Sequence, residues 1–562
     1  METEVLIVGA GASGMVLALW LARLSVRVRI IDRAGGPGRA PRAFALQART
    51  LEFYDRLGLA KDALAQGRVA STMSLHRGRE RIQTIPFGAF GQGLSPFPFV
   101  LILFQDDHEK LLARHLSAVG VQVERNTELI DLDDTGSVIQ ARLRGSSGGD
   151  EVCEASFVCG CDGAGSLVRR LSDIDFRGGR SEEIAFVADV RASGVLADGE
   201  LHSVLSGETL YSVFPRRQSG RVRLIGLTPV SVRKRLSQFD FDDIAPEILQ
   251  GADLEVSVVE SFATYGVQQR IADAWRKGRI FLLGDAAHLH NPAGGQGLNA
   301  AVGDAANLAW KLGAVLRGGA DPSLLDTYQS ERRAAARQIA ATVDRGFGIL
   351  GRHEGVFGVV RAVLPEFVGQ LMRATMFRRW LFRAISQIGI SYRASRSCDG
   401  RAGQVAGGDR LPWVKLDDQS DNFSALQQPF PIESSFVDEG AAVLEEGSDQ
   451  DGAYIFRERA LGFGWQAQVY GQIHERLREA CAEWGLSLRG FAWGAQMKRV
   501  GLVRDAVYLV RPDGYVAYAC AGQDPVRLAE YLERFDIRFR SVPETGGALH
   551  MGLGAPQAPS PE

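Results

Sequence analysis

The residue pattern with the clearest chemistry lies at the start of the chain, in the glycine-rich sequence Gly9-Ala10-Gly11-Ala12-Ser13-Gly14. An apolar run, residues 5–8, precedes it, and a longer apolar run, residues 15–24, follows it. This order predicts a buried strand, a tight turn and a helix. Glycines in such a turn let the backbone approach a pyrophosphate, whose charge is stabilised by backbone N–H groups and by the positive end of the helix. The pattern therefore predicts a phosphate cradle.

A carboxylate at the end of the next apolar run extends this prediction to a dinucleotide. Residues 28–31 are predicted to form a second strand, and Asp32 follows it. In dinucleotide-binding folds, a carboxylate at this point accepts hydrogen bonds from the ribose hydroxyls of the adenosine half. Arg33, beside it, is expected to pack near the adenine. A glycine-rich turn alone is a common structural feature, but strand, turn, helix, strand and acid in this order favour a dinucleotide site.

Two further fragments place glycine and acidic residues near predicted strands. One is Cys161-Asp162-Gly163, and the other begins at Gly284-Asp285, continues through His288 and His290, and ends at Leu298-Asn299. Asp162 is also compatible with a plain turn, and Asp285 with a helix cap. The two histidines suggest a metal site, but without a cysteine or carboxylate cluster they make a poor one. We therefore predict no metal centre, and we expect both fragments to bind the same dinucleotide.

The composition is ordinary for a globular protein and argues against several functional classes. The 562 residues are too many for a single hydrophobic core and predict two or three domains. The net charge of −3 gives no electrostatic basis for binding nucleic acid or an anionic membrane. The six cysteines include no CxxC pair, and no apolar stretch reaches transmembrane length. Because the chain enters a predicted core strand directly, we expect a soluble cytoplasmic protein with free thiols.

Apolar periodicity divides the first 400 residues into three segments. Residues 1–175 alternate strand-like and helical runs, which is typical of a parallel sheet covered by helices. Residues 176–270 contain short β-rich runs and are predicted to form an inserted antiparallel sheet. Residues 271–400 return to the first pattern and add long helical stretches. The first and third segments are therefore expected to form one domain.

The C-terminal part of the chain is predicted to form a further domain. A turn-rich stretch, residues 397–412, is predicted to be a linker, and residues 405–542 have their own alternation of strands and helices. Within them, residues 507–510 and 515–518 are predicted to pair as a hairpin. Residues 543–562 are rich in Gly, Pro and Ala, so we expect a disordered tail.

These fragments together resemble those of the single-component, class A, FAD-dependent aromatic hydroxylases. The likeness is greatest to the three-domain branch that includes phenol hydroxylase and polyketide-tailoring hydroxylases. Smaller matches, including Arg49-Thr50-Leu51-Glu52, Leu308-Ala309-Trp310-Lys311-Leu312 and residues 328–332, extend the resemblance over nearly the whole chain. It implies an α/β fold with a Rossmann-like FAD-binding domain and an inserted antiparallel-sheet substrate domain. It also implies a C-terminal thioredoxin-like domain, here without redox cysteines.

The resemblance also implies how the fragments hold FAD. Asp285 would accept hydrogen bonds from the ribityl hydroxyls, and the glycine-rich residues 292–298 would let backbone lie against the flavin ring. Backbone N–H groups at the following helix start would stabilise negative charge on the reduced flavin. Arg169 would lie near the nicotinamide path. The full set of implied cofactor-binding residues is Gly9, Gly11, Ser13, Gly14, Asp32, Arg33, Arg42, Gln105, Asp162, Asp285, Pro292, Gly295, Leu298 and Asn299.

The activity implied by the resemblance is NAD(P)H-dependent hydroxylation of a phenolic or polyketide-like aromatic ring. NADPH or NADH acts as a transient donor, which agrees with the lack of a separate nicotinamide fingerprint. The reduced flavin reacts with oxygen to give a C4a-hydroperoxide, whose terminal oxygen is transferred to the ring. Where phenol hydroxylase carries an acid that activates the substrate phenol, this chain has Phe44. No catalytic side chain is therefore assigned.

Other activities and the identity of the substrate stay open at this stage. A Baeyer–Villiger oxygen insertion uses the same flavin motifs, and so does a protein that sequesters a reactive intermediate with little turnover. A flavin halogenase is disfavoured because its Trp-x-Trp-x-Ile-Pro tract is absent. The expected partners are the aromatic substrate, NAD(P)H and molecular oxygen, without nucleic acid or membrane, and a homodimer stays open. Residues that could contact the substrate, although each is more often core, are Tyr211, Phe214, Arg216, Arg223, Phe262, Met372, Met376 and Phe377.

Overall fold

The structure is a computed structural model, and it describes most of the chain in thirteen ranges. These are residues 2–38, 45–70, 72–86, 90–197, 200–206, 209–216, 220–228, 232, 238–250, 252–290, 295–350, 374–426 and 464–539. For residues 180–182, 209 and 343–350 only the backbone element is described.

Twenty-five strands occur in the described residues, and they are numbered here in chain order. They are β1 (Glu2–Val8), β2 (Val28–Asp32), β3 (Ala45–Leu46), β4 (Arg68–Ala70), β5 (Met73–Arg77), β6 (Glu80–Ile85), β7 (Val100–Ile102), β8 (Val123–Arg125), β9 (Glu128–Asp134), β10 (Ile139–Arg144), β11 (Asp150–Gly160), β12 (Phe176–Ser193), β13 (Leu201–Ser206), β14 (Thr209–Pro215), β15 (Arg221–Leu227), β16 (Glu255–Ala272), β17 (Arg276–Lys277), β18 (Ile280–Leu282), β19 (His288–Leu289), β20 (Asp399–Ala402), β21 (Val405–Ala406), β22 (Gln466–Tyr470), β23 (Ser487–Phe491), β24 (Val507–Val510) and β25 (Val516–Cys520).

The α-helices of the described residues are numbered in the same way. They are α1 (Ala12–Arg23), α2 (Ala48–Arg56), α3 (Ala60–Gln66), α4 (Gln105–Ala118), α5 (Leu167–Leu171), α6 (Phe241–Ile248), α7 (Gln296–Leu316), α8 (Asp326–Leu350), α9 (Thr375–Ile385), α10 (Glu475–Trp484), α11 (Ala495–Arg499) and α12 (Pro525–Glu533). Measured over these described helices, none is both long enough and apolar enough to cross a membrane.

The first sheet carries the predicted dinucleotide fragments. Its order is β17-β18-β11-β1-β2-β8, and β9 and β10 continue it from β11. The pairs β1–β2, β1–β11, β2–β8 and β11–β18 are parallel. Strand β1 is buried from Val5 to Val8, and α1 packs between this sheet and α7. Since parallel strands end at the same edge, the segments after β1, β2, β11 and β18 meet at one edge of the sheet.

A second sheet lies beside the first and includes β19, the strand that follows β18. Its order is β19-β16-β12-β15-β14-β13-β5-β6, and its pairs are antiparallel except for the parallel pair β13–β5. Side chains alternate between its two faces. One face packs against α6 through a core that contains Phe186, Val213 and Leu224. The other face contacts Phe104, which directly precedes α4.

The third sheet belongs to the C-terminal part of the chain. Its order is β21-β20-β25-β24-β22-β23, in which β22–β23 and β20–β25 are parallel and the other pairs antiparallel. The predicted hairpin is confirmed, because β24 and β25 pair across residues 511–515. The prediction of a linker over residues 397–412 is wrong. This stretch contributes β20 and β21, whose backbone groups are paired within the sheet.

Candidate functional site

The glycines at the end of β1 are held where no side chain fits. Gly9 has a φ of +103°, and its N–H donates to the carbonyl of Ile31 at 2.8 Å. A Cβ on Gly9 would clash with the carbonyl oxygen of Cys161, and a Cβ on Gly14 would overlap the carbonyl oxygen of Gly9. The first and third glycines of the turn therefore bring β1, α1 and the end of β11 into close contact, as the spacing predicts.

Gly11 occupies a different environment from its two neighbours. A Cβ built on Gly11 meets no other residue within 4 Å. Gly11 is also the N-cap of α1, and no side chain caps this helix end. The first N–H groups of α1 are thus left for another acceptor, and the positive helix end favours an anion there. A pyrophosphate fits this open space, and a side chain at residue 11 would fill it.

Asp32 lies beside the same turn at the end of β2. Its carboxylate accepts hydrogen bonds from the N–H groups of Ala10 and Ala34, each at 2.8 Å, and lies 3.5 Å from Arg125. The side chain is 18% exposed, so it reaches the edge of the cradle and can accept a ribose hydroxyl. Arg33 is exposed at this edge.

Gln105 lies close to the cradle at the first residue of α4. Its amide donates to Glu109 at 2.8 Å, and the other oxygen of Glu109 accepts the N–H of Gly38 at 3.1 Å. Burial raises the pKa of Glu109. These bonds link α4 to the loop after β2 and place the Gln105 amide beside it.

Asp162 and Arg169 brace the segment that follows β11. One oxygen of Asp162 accepts the N–H groups of Leu167 and Val168 at 2.6 and 3.1 Å, while its Oδ1 is buried without a partner in the described part of the chain. Arg169 donates to the carbonyls of Ala286 and Ala164 at 2.7 and 2.8 Å. Asp162 thus organises α5, and Arg169 ties the segment after β11 to the segment after β18.

Asp304 of α7 holds the segment after β18 through hydrogen bonds. Gly284 has a φ of +57°, and its N–H donates to Asp304 at 3.0 Å. His288 Nε2 lies 2.8 Å from the same oxygen of Asp304, and Arg332 Nε donates to the other oxygen at 2.7 Å. Burial alone would raise the pKa of Asp304, but Arg332 and His288 lower it. Asp285 is exposed between these anchored residues, where it can contact a ligand.

The two histidines of this segment are placed for structural contacts. His288 stacks on Trp275, with ring centroids 5.0 Å apart, and is buried against Asp304. Burial, and then the neighbouring His288, lower the pKa of His290 to about 3, so its ring is neutral at physiological pH. Across the described residues, His, Cys, Asp and Glu side chains form no group of three that could hold a metal ion.

Asn299 fixes the turn that leads into α7, here called the helix-entry turn (residues 295–299). Its amide donates to the carbonyls of Ala45 and Gly295 at 2.9 and 2.7 Å. Its oxygen accepts the Gln47 N–H at 2.8 Å and the Thr50 hydroxyl at 2.7 Å. The side chain of Asn299 is therefore fully engaged with β3 and α2. The backbone N–H of Leu298 lies in the first turn of α7, where N–H groups have no partner within the helix.

Several of these supporting residues were not predicted from the sequence. Gln47, Thr50 and Asp304 hold the site through hydrogen bonds to residues far away in the chain. The only sequence signal for them was the family match at Arg49-Thr50-Leu51-Glu52, which carried no stated role. Two predicted contacts, Arg42 and Pro292, lie outside the described residues, as do Phe44 and Met372.

The second sheet presents only some of the predicted substrate residues to the first. Arg223 pairs with Asp189 at 2.7 Å, and its guanidinium lies 4.3 Å from the ring centre of Phe104. Arg216 also stacks on Phe104, at 4.4 Å, and pairs with Asp106 of α4 at 3.0 Å. Phe214 packs against the cluster that contains Phe104. These three residues therefore lie on the face toward α4.

The other predicted substrate residues lie elsewhere. Tyr211 lies in the core that packs on α6 and Phe262 packs against it, so these two candidates are ordinary sheet residues, which is the more frequent case for strand aromatics. They occupy the opposite face because side chains alternate along a strand. Met376 is 86% exposed on α9, and Phe377 stacks on Trp380 of the same helix at 5.7 Å. At this exposure Met376 is not a core residue, and it does not line the recess described below.

A small recess, with a cavity volume of about 10 Å³, lies against α9 close to the helix-entry turn. Its walls are uncharged and mostly apolar, and they consist of Gln47, Phe90, Val100, Leu381, Phe382, Ile385 and Ser386. Two hydrogen bonds join this wall to the helix-entry turn. Gln47 donates its N–H to Asn299, and the Gln296 amide donates to the carbonyl of Ile385 at 2.9 Å. The recess thus lies beside the fragment whose backbone is predicted to contact the flavin ring.

Comparison with known proteins agrees with this geometry. The family described as FAD binding domain matches residues 2–343. The chain is 32% identical to 6-methylpretetramide 4-monooxygenase of Streptomyces rimosus, over 92% of this chain and 90% of that protein. It is 28% identical to pentachlorophenol 4-monooxygenase of Sphingobium chlorophenolicum, over 93% and 94%. The solved structure of the anhydrotetracycline hydroxylase OxyS from Streptomyces rimosus superposes with a TM-score of 0.69 and 25% identity, covering 96% of this chain and 100% of that one.

Proposed function

The chain belongs to the FAD binding domain family and is an FAD-dependent aromatic monooxygenase, and we propose that its substrate is an uncharged phenolic or polyketide-like ring hydroxylated with NAD(P)H and dioxygen. The observation that carries the assignment of the cofactor site is the environment of Gly11. The open space at this residue, at an uncapped helix start, fits a pyrophosphate.

We assign each part of the FAD molecule to a different segment of the site. We assign the adenosine ribose to Asp32, the pyrophosphate to the turn that contains Gly11 and Ser13, and the ribityl chain to Asp285. The helix-entry turn, residues 295–299, is assigned to the flavin ring. Asp162 and Gln105 flank the cradle, and each anchors a loop that borders it. Arg33, Arg42 and Pro292 stay predictions.

The protein supplies position and electrostatics, and the cofactor supplies the redox chemistry. When FAD is bound, it provides hydride acceptance and the activation of oxygen. The start of α7 has no side-chain cap, so its first N–H groups and the positive end of the helix dipole are available to stabilise negative charge on a flavin ring bound at the helix-entry turn. We further propose that the second sheet shields the bound flavin from water, which would strengthen these interactions. None of these roles requires a catalytic acid or base.

The recess has room for about one water molecule, so it is the chemistry of its wall, and not its volume, that supports the proposed substrate class. Its wall contains no charged side chain, so a carboxylate bound there would be desolvated without a partner. Phe90 and Phe382 provide flat apolar surface for an aromatic ring. Gln47 and Ser386 are the polar groups that can orient a hydroxyl. Relatives named for 6-methylpretetramide and pentachlorophenol agree with an aromatic or phenolic substrate that carries no carboxylate.

The finer architecture and setting are part of the same proposal. We assign residues 1–175 and 271–400 to the FAD-binding domain, residues 176–270 to an inserted substrate domain, and residues 405–542 to a thioredoxin-like domain. The strand order of the third sheet, with helices α10 and α12 beside it, supports the last assignment. All six cysteines are free thiols, which supports a reducing, cytoplasmic setting.

Anaerobic stopped-flow reduction tests this function. The flavin-loaded protein is mixed with NADPH, and separately with NADH, in the presence of a neutral naphthol or of the matching hydroxynaphthoate. We expect the naphthol to accelerate flavin reduction and the carboxylate to have little effect. Acceleration by the carboxylate alone would refute the neutral substrate class. Absence of reduction under every condition would instead favour a protein that sequesters an intermediate.

A second arm separates hydroxylation from Baeyer–Villiger insertion. Both reactions add one oxygen atom, so product mass does not distinguish them. NMR connectivity does, because hydroxylation leaves the carbon skeleton intact while insertion places oxygen between two carbons. We expect an intact skeleton bearing a new hydroxyl group.

A further inference from the structure

The tip of the C-terminal hairpin is buried, which is unusual for a turn. Residues 511–514, here called the C-terminal turn, connect β24 and β25. Arg511 is 0% exposed and Asp513 is 1% exposed, although turns normally lie at the surface. Burying charged side chains is costly unless each is paired and hydrogen-bonded. The placement of this turn inside the molecule therefore needs a physical explanation.

The charges of the C-terminal turn are satisfied by the FAD-binding domain. Arg511 donates two hydrogen bonds to Glu331 of α8, each 3.0 Å long, and two to Asp513, at 3.0 and 2.5 Å. Asp513 also accepts the indole N–H of Trp310 at 3.2 Å. Lys311 completes the cluster by donating to Glu331 at 3.0 Å. Both long helices of the FAD-binding domain are thus joined to the turn.

One route from the C-terminal turn leads through α2 to the helix-entry turn. Arg49 donates to the carbonyl of Asp513 at 2.5 Å, and Arg56 donates to the carbonyl of Pro512. The neighbour of Arg49 in α2 is Thr50, whose hydroxyl donates to Asn299. A change at the turn therefore reaches, through one short helix, the side chain that fixes the start of α7.

A second route leads through α8 to the segment after β18. Tyr515, which follows the turn, packs on Tyr392 with ring centroids 4.2 Å apart. The Tyr392 hydroxyl accepts a hydrogen bond from Arg332 at 2.7 Å, and Arg332 also pairs with Asp304. Asp304 in turn accepts the N–H of Gly284, which directly precedes Asp285. The second route thus ends at the carboxylate assigned to the ribityl chain.

We propose that the C-terminal turn positions the flavin site, and that FAD affinity is the property for which the third domain is required. Arg511 and Asp513 are positioning residues, since they act through α2, α7 and α8 and do not contact the assigned cofactor site. The two routes hold the flavin site at its ring end and at its ribityl end. This inference rests on the assignment of FAD to that site. It extends it by giving the third domain a role that needs no redox cysteines.

The test compares FAD affinity with fold stability in variants of the full-length apoprotein. Asp513→Asn keeps the shape of the turn but removes the charge that Arg511 faces. Arg56→Gln is the milder variant and removes only the contact with the Pro512 carbonyl. Tyr508→Phe is the matched control, because it removes buried hydrogen bonds to Val503 and Ala402 inside the third sheet without touching the turn.

We expect the dissociation constant of FAD, measured by fluorescence titration, to rise about 5- to 150-fold in Asp513→Asn, the usual range for coupling between sites. Arg56→Gln should show a smaller rise in the same direction. The visible circular dichroism of bound flavin should change in both variants. Tyr508→Phe should lower the unfolding temperature of the apoprotein and leave the FAD dissociation constant at the wild-type value.

Non-additivity provides the second readout. Thr50→Val removes the link from α2 to Asn299. If the turn acts through α2, the effects of Thr50→Val and Arg56→Gln on FAD affinity will not add, as is found for residues in one network. The proposal is overturned if the turn variants and Tyr508→Phe lower stability alike while FAD affinity stays unchanged. A wild-type protein that binds no FAD would refute the function itself, so the two failures are distinguishable.

Discussion

Replacing Gly11 with valine separates FAD binding from folding. The backbone at Gly11 is extended, with φ −76° and ψ −174°, a conformation that any residue adopts. A Cβ there meets no other residue within 4 Å. Gly11→Val should therefore fold as the wild type does. Its side chain fills the space assigned to the pyrophosphate, so the phosphate loses its contact with the turn.

The size of the effect follows from the hydrogen bonds that are lost. Each hydrogen bond to a charged group contributes about 1.5–3 kcal/mol. Displacing the pyrophosphate from two N–H groups of the α1 start would then cost about 3–6 kcal/mol. At about 1.4 kcal/mol for each factor of ten, the dissociation constant of FAD should rise by roughly 10²- to 10⁴-fold.

The assay measures FAD binding and thermal unfolding of the same apoprotein. Gly14→Ala is the matched variant, because its Cβ would overlap the Gly9 carbonyl and should destabilise the fold itself. We expect Gly11→Val to unfold at the wild-type temperature and to bind FAD weakly. We expect Gly14→Ala to unfold at a lower temperature even without FAD. Wild-type FAD affinity in Gly11→Val would refute the assignment of the cradle.

Three other perturbations test the packing and electrostatics of the molecule. Burial alone would raise the pKa of Glu52, but Arg410 and then Arg49 lower it to about 2, below the ordinary 4.5. Because the pKa is depressed in the folded protein, the ionised carboxylate raises the free energy of unfolding above about pH 4.5, and this contribution is lost as the pH falls toward 2. Urea unfolding at several pH values should therefore show a smaller loss of stability in acid for Glu52→Gln than for the wild type. Arg223→Met leaves the carboxylate of Asp189 without its bidentate partner and should lower the free energy of unfolding by about 3–5 kcal/mol. A loss below about 1 kcal/mol would contradict a buried ion pair between Arg223 and Asp189. Burial raises the pKa of the Cys161 thiol well above its ordinary value, so iodoacetamide should label this residue only after unfolding. Labelling is read by peptide mass spectrometry, and rapid labelling of the native protein would argue against the burial of Cys161.

The parts of the fold that follow from local sequence were predictable. The predicted strand, turn and helix around Gly9-Ala10-Gly11-Ala12-Ser13-Gly14 agree with β1 and α1, and the predicted second strand agrees with β2. Each rests on apolar periodicity and on turn chemistry, both of which are local properties. The C-terminal hairpin was predictable for the same reason. The prediction of a linker over residues 397–412 was wrong because short strands of mixed polarity cannot be told from turns until their partner strands are known.

The supporting residues of the site could not be predicted, because their partners are distant in sequence. Asp304 was one polar residue on a long apolar helix until the structure placed Gly284, His288 and Arg332 around it. The two faces of the second sheet were also undetermined, since alternation gives two sets of side chains but not which set faces inward. For that reason Tyr211 could be named only as a candidate, and the structure places it in the core on α6.

The most direct test of the central claim is isotopic. The flavin-loaded protein is supplied with NADPH, a naphthol that accelerates flavin reduction and dioxygen labelled with oxygen-18, and the product is examined by mass spectrometry and NMR. We expect a product with one labelled oxygen atom, carried as a hydroxyl group on an intact aromatic skeleton and formed as NADPH is consumed. NADPH consumption that yields only peroxide, or a product whose new oxygen is unlabelled, would contradict it.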